Sequence, residues 1–205
     1  MKTILFIVVL SFVFMPSFSQ DSSFIKVHFL YGSRPRKIYK DTEKKWFGGV
    51  MGGHVGIEGD SDRVVNFSHT GSFHVFAMNR KRHSKFSEHS CSQFYQIFGG
   101  HEDSVKKTII YVPVSRYQKQ QFDSIAASYL RQTPYDYALF GMRCGAASYD
   151  ILSKLGVLPD YPQSKTAMKI FYPKKLRTRL LQAATKNGWM VLQQEGSHKR
   201  IWEKG

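Results

Sequence analysis

The chain has 205 residues, room for one ordinary domain rather than two large ones. Its 42% hydrophobic and 15% aromatic content is enough to build a core, and two cysteines are too few for a disulfide-dense mini-domain or a four-thiolate metal site. Thirty Lys and Arg against fifteen Asp and Glu give +15, which favours an anionic partner such as lipid, wall polymer, acidic glycan or nucleic acid without choosing a chemistry.

Met1-Lys2, an apolar run from Thr3 to Phe14 broken only by Ser11, then Pro16 and Ser17-x-Ser19 read as the three regions of a secretory signal. Residues 1–19 are therefore expected to be a signal peptide, with residues 20–205 forming one domain. The run is short of the ~20 residues a membrane span needs. Loss of Lys2 leaves +14, and export, periplasmic or secreted from a bacterium, takes the chain to a compartment without a genome. Nucleic acid is then not expected as a partner, and the positive charge points to a surface, a wall polymer or lipid.

Residues 24–31 alternate as a strand, and SRPRKIYKDTEKKW after them looks like a solvated loop. Short β-rich runs at 54–58, 62–67 and 73–78, between Gly, Asp and Ser, predict an antiparallel meander. The basic stretch 79–96 has no assignable pattern, and KTIIYVPV is a further strand. Ser115-x-x-Gln118 is a capping box that opens a helix running until Pro134. A second helix starts close to Cys144 and ends at Gly156, a third runs from Pro173 to Gly188, and WMVLQQ is the last strand. Strands, then helices, then more β structure give an α+β fold.

His54, in GGHVGIE, heads a strand that paired glycines deliver, a good place for a base. A turn over Gly59, Asp60 and Ser61 would make cross-strand partners sum to 120, placing Asn66 opposite His54, within reach of one imidazole nitrogen. Cys144 lies in the first turn of a helix beside Arg143, where unpaired N–H groups and a cation should favour thiolate and lower its pKa. Gly145, Ala146 and Ala147 leave room for a substrate carbonyl, with the Cys144 amide as an oxyanion donor. The alternative is a Cys91–Cys144 disulfide, the one intramolecular pairing available in an exported chain.

HVGIE, a short turn and VVNF resemble the His strand and following strand of NlpC-type papain-like thiol hydrolases, in which a polar residue twelve positions on orients the His. YDYALFGMRCGAASYDILSKLG is similar to their nucleophile helix. The usual order has Cys before His; here His54 precedes Cys144, as in the circularly permuted branch that includes lecithin:retinol acyltransferase-like proteins. The resemblance covers residues 48–160 and implies a papain-like antiparallel sheet packed against helices. It also implies Cys144 as nucleophile, His54 as general base and then acid, and Asn66 holding the imidazole tautomer. Several members carry a polar residue or aspartate close to the nucleophile that helps the oxyanion site, whereas this chain has Met142 and Arg143 there; Arg143 and, further back, Tyr135 and Tyr137 are the candidate substrate-binding groups.

The expected activity is cleavage of amide bonds, with cell-wall peptides the first substrate class because the signal takes the chain to that polymer. Lipid acyl hydrolysis or transfer is the alternative within the same fold. A non-catalytic binding module with the Cys91–Cys144 disulfide is the alternative outside enzymology. His69 or His74 could replace Asn66 if the register differs. No HExxH or paired CxxC is present, so neither metal nor cofactor is expected. Arg80, Lys81, Arg82 and His83, with Lys174, Lys175, Arg177 and Arg179 of the third helix, would form a positive surface for peripheral contact with a membrane or an anionic polymer.

Overall fold

The structure is a computed structural model that describes residues 23–43, 53–59, 62–71, 74–77 and 83–204. The expected leader and Arg80, Lys81 and Arg82 lie outside the described residues. The chain is α+β. A six-stranded antiparallel sheet has the order β6-β4-β3-β1-β7-β9, formed by Ser84–Ser90, Arg63–His69, His54–Glu58, Ser23–Leu30, Lys107–Val114 and Val191–Gln194. Two small sheets join β2 (Ser33–Pro35) to β10 (Arg200–Trp202) and β5 (His74–Phe76) to β8 (Ala138–Phe140). The five described helices are α1 (Cys91–Gly99), α2 (Arg116–Arg131), α3 (Cys144–Lys154), α4 (Gln163–Lys169) and α5 (Pro173–Asn187). No described helix is long and apolar enough to cross a membrane.

The sheet separates two apolar clusters because successive side chains along a strand leave in opposite directions. On one side Val27 and Phe29 of β1, Val55 and Ile57 of β3, and Val65 and Phe67 of β4 pack with Ala147 and Leu152 of α3 and Leu176 and Leu180 of α5. On the other, Leu30 and Val64 meet Phe94 and Tyr95 of α1. Each such fully buried side chain is worth roughly 1.5–3 kcal/mol of transfer energy.

Local chemistry sets the boundaries. Ser115 accepts from the Gln118 N–H, and the Gln118 side chain reaches back to the Ser115 N–H, so both arms of the expected capping box form. α5 opens with Pro173 at its first position and closes at Gly188, whose φ of 67° is left-handed. The region 79–96 contains β6 and α1. β6 buries Ser84 and Phe86 on either side of exposed Lys85 and becomes open from Ser87 onward, with Phe86 its one hydrophobic residue, which suits an edge strand. α1 opens on a second capping box, Ser90 with Gln93, the same Ser-x-x-Gln signal as at 115–118 and the cue that could have located it. The expected loop after β1 contains β2 and a short 3-10 turn at Lys37–Tyr39.

The β3–β4 register differs from expectation. Gly56 faces Asn66 and Glu58 faces Val64, so paired positions sum to 122 rather than 120. Asp62, expected opposite Glu58, has a φ of 53° and leaves the ladder, which lengthens the connection by two residues. A shift of two keeps every side chain on its expected face, whereas a shift of one would reverse them all.

Candidate active site

His54 and Asn66 meet diagonally across β3 and β4, with Nε2 of His54 3.1 Å from Oδ1 of Asn66. Gly56, directly opposite Asn66, leaves the space between them open: a Cβ there would lie 2.4 Å from the Val64 side chain and 3.1 Å from Phe94. The Asn66 amide orientation is fixed from behind, because Nδ2 donates to the Ser87 carbonyl at 3.2 Å. Oδ1 can then only accept, so Nε2 of His54 carries the proton and Nδ1 is the basic nitrogen. The His54 ring is buried and stacks on Phe98 at 3.8 Å between centroids, with Phe94 at 5.8 Å. Burial pushes its pKa down to about 4, against the opposing Asn66 hydrogen bond and with help from the charges of His89 and His69.

Cys144 is the first residue of α3 and is buried. Its sulfur is surrounded by donors: the Arg143 cation, the backbone N–H of Gly145, the Tyr137 hydroxyl and the backbone N–H of Val55. These favour thiolate, yet burial outweighs them and the thiol pKa is raised. The expectation of a lowered pKa from the helix start and Arg143 is thereby corrected, because desolvation of the sulfur is the larger effect. The resting pair is a neutral imidazole and a neutral thiol.

The sulfur reaches β3 at the Val55 N–H, one peptide beyond His54. The His54 ring, however, turns toward Phe94 and Phe98 of α1, while the Val55 side chain enters the cluster that holds Cys144. The tertiary fold thus joins the two expected segments at the backbone, and no hydrogen bond links imidazole to thiol. Tyr137 is the aromatic group at the thiol. Its ring also lies 5.5 Å from His69 and 5.2 Å from Phe67. His69 therefore shares the α3 face with Cys144.

Arg143 lies at the N-cap of α3, its guanidinium 4.8 Å from the Phe171 ring centre and 5.1 Å from that of Tyr172. Its Nε and Nη1 are buried without a hydrogen-bond partner among the described residues, so two donors stand ready beside the nucleophile. Tyr135 is elsewhere: its hydroxyl bonds Asp150 and Tyr129 and ties α2 to the middle of α3. His74 pairs with Asp136 at 2.9 Å, away from the His54–Asn66 pair.

The two cysteines are free and belong to different environments, Cys144 to the α3 cluster and Cys91 to a hydrogen bond with Glu58 across the sheet. The alternative Cys91–Cys144 disulfide is not formed. Arg177, expected on the positive surface, is buried over the Tyr31 ring at 3.7 Å and paired with Glu203 at 3.1 Å, because it adjoins the Leu176–Leu180 stripe that α5 buries. Lys174, Lys175, Arg179 and Lys204 do line a cleft of about 660 Å³ between α5 and β10. A second cleft, of about 580 Å³, is bordered by Phe140, Met142, Met168 and Phe171, next to the residue that precedes Arg143.

No family model, no curated protein and no solved structure matches the chain.

Proposed function

We propose that the chain is an exported cysteine hydrolase of papain-like, circularly permuted NlpC-type architecture that cleaves amide bonds through a thioester on Cys144. The observation that carries the reading is the fixed tautomer: Asn66 holds the Nε2 proton of His54, leaving Nδ1 to take the thiol proton. In the reaction Sγ of Cys144 attacks the carbonyl carbon as its proton passes to Nδ1 of His54. The oxyanion develops beside the Cys144 amide and the buried donors of Arg143. His54 then protonates the departing amine. Water, deprotonated by the same imidazole, attacks the thioester and returns the free thiol and a carboxylic acid.

Because the His54 ring and the sulfur lie on opposite faces of the sheet, the first step requires the imidazole to leave Phe98 and its Asn66 bond and pass around the start of β3. A competing assignment places the base at His69, which shares the thiol's face through Tyr137. Cell-wall peptides are the first substrate class, on the strength of the export signal. Lipid esters or amides are the second, favoured by the apolar cleft beside Met142 and the basic cleft at α5. Incubation with purified peptidoglycan and with phospholipid vesicles in parallel, followed by mass spectrometry of product and of acylated Cys144, tests both. Cys144→Ala and His54→Gln should each lower turnover by at least about 100-fold, the lower range for a general base. Full turnover in Cys144→Ala overturns the enzyme reading; full turnover in His54→Gln with loss in His69→Gln moves the base to His69.

A further inference from the structure

The face of the sheet under α1 carries a buried polar group that the proposed reaction does not use. Glu58 of β3 is its centre. Oε2 lies 2.7 Å from Nε2 of His28 and accepts from Sγ of Cys91 at 3.2 Å, while Oε1 accepts from Lys26 at 2.6 Å. His28 and Glu58 are each 2% exposed, and Cys91 is half-buried at the start of α1. Register brings the first two together: β1 and β3 pair with Lys26 opposite Glu58 and His28 opposite Gly56, so His28 and Glu58 are diagonal neighbours on one face. One atom from each of His28, Glu58 and Cys91 lies within 4.8 Å of the others.

We infer that His28 Nε2, Glu58 Oε2 and Cys91 Sγ form a site for one zinc-like divalent cation. A sulfur, an imidazole and a carboxylate are the ligand set of a borderline-soft tetrahedral ion, and the thiolate argues against magnesium or calcium. Binding replaces one proton, that on Sγ of Cys91, and draws on the Nε2 lone pair of a neutral His28. The imidazole keeps one proton, on Nδ1, 2.6 Å from the Tyr95 hydroxyl, which would then accept it. Such an outer partner is what orients a metal-bound histidine. Glu58 and thiolate together balance the charge of the cation, and Lys26, a third exposed, can release Oε1 to solvent.

The cation would tie β1, β3 and α1 together and hold α1 over the His54 ring, since Phe98 and Phe94 of that helix are what His54 packs against. Ligands at 28, 58 and 91 have no short spacing, so no motif marks the site.

The test is titration of the full, reduced chain with cobalt(II), then competition with zinc. One equivalent should produce a thiolate-to-cobalt charge-transfer band that zinc abolishes. Zinc should shield Cys91, but not Cys144, from alkylation of the native protein, as mapped by peptide mass spectrometry. Cys91→Ser should lose the band, and Tyr95→Phe should weaken affinity by about 10–100-fold. Absence of a charge-transfer band in the wild-type chain, or a band of full strength in Cys91→Ser, overturns the inference. The cobalt and alkylation readouts need neither a substrate nor a functioning Cys144.

Discussion

The two faces of the central sheet solve burial in different ways. Under α3 and α5 the sheet meets aliphatic and aromatic side chains, and Cys144 sits at the edge of that layer with its donors around it. Under α1 a smaller apolar cluster shares its space with Lys26, His28 and Cys91, each hydrogen-bonded to Glu58. The first face supplies most of the hydrophobic stabilisation. The second spends burial on charge and holds together only because each charged or polar group there has a partner. His54 belongs by its ring to the second face and by its backbone to the approach of the thiol on the first. Any catalytic cooperation of the two residues therefore crosses the plane of the sheet.

The largest expected effect separates the faces by stability. Phe67→Ala on the α3 side should cost about 3–5 kcal/mol, read by urea denaturation, because the ring is fully buried against Phe86 and Tyr137. Leu30→Ala, in the smaller cluster, should cost less. An equal or larger loss for Leu30→Ala would mean that the polar face carries the fold.

Acid titration should act on the second face alone. His54 binds a proton less readily folded, at about 4, than unfolded, at the ordinary 6.5. The unfolded state therefore takes up protons first, and stability should fall by about 3 kcal/mol as pH drops from 6.5 to 4. Glu58 adds a lower limb. Burial opposes its ionisation, but the His28, Lys26 and Cys91 hydrogen bonds prevail and hold the carboxyl at about 2, so its contribution is intact above 4.5 and is lost as pH falls toward 2. His54→Gln should remove the upper limb and leave the lower one. Unchanged acid sensitivity in that variant would place the titrating group elsewhere.

The smallest effect distinguishes the two capping boxes. Ser90→Ala and Ser115→Ala should each cost about 1 kcal/mol in thermal or urea unfolding. Ser90→Ala alone should speed alkylation of Cys91 in the native chain, because only α1 carries that thiol. The same acceleration in Ser115→Ala would show that α1 and α2 open as one unit.

Much of the frame could be read from sequence where a local rule has one dominant cause. The strand KTIIYVPV, the helix after Ser115 and the helix between Pro173 and Gly188 lie where alternation, capping and terminal Pro and Gly put them. β6 escaped because Phe86 is its one hydrophobic residue among Ser, Lys, Glu and His, and edge strands need few hydrophobic residues. α4 escaped because it is short and has no side-chain cap at Pro162. At the candidate site, the His54–Asn66 pair followed from a strand period of two, which survives a register error of two. The role of Tyr135 could not be read, since its partner Asp150 lies fifteen residues away on another element.

Sequence alone determined the period of each element, the caps that bound it and the identity of a histidine and asparagine that a hairpin must bring to one face. These are short-range consequences of backbone geometry. Tertiary structure decided the protonation of Cys144, the free state of both thiols and the meeting of His28, Glu58 and Cys91. Each of these depends on what surrounds a side chain in space, and desolvation and long-range contacts have no signature in neighbouring residues.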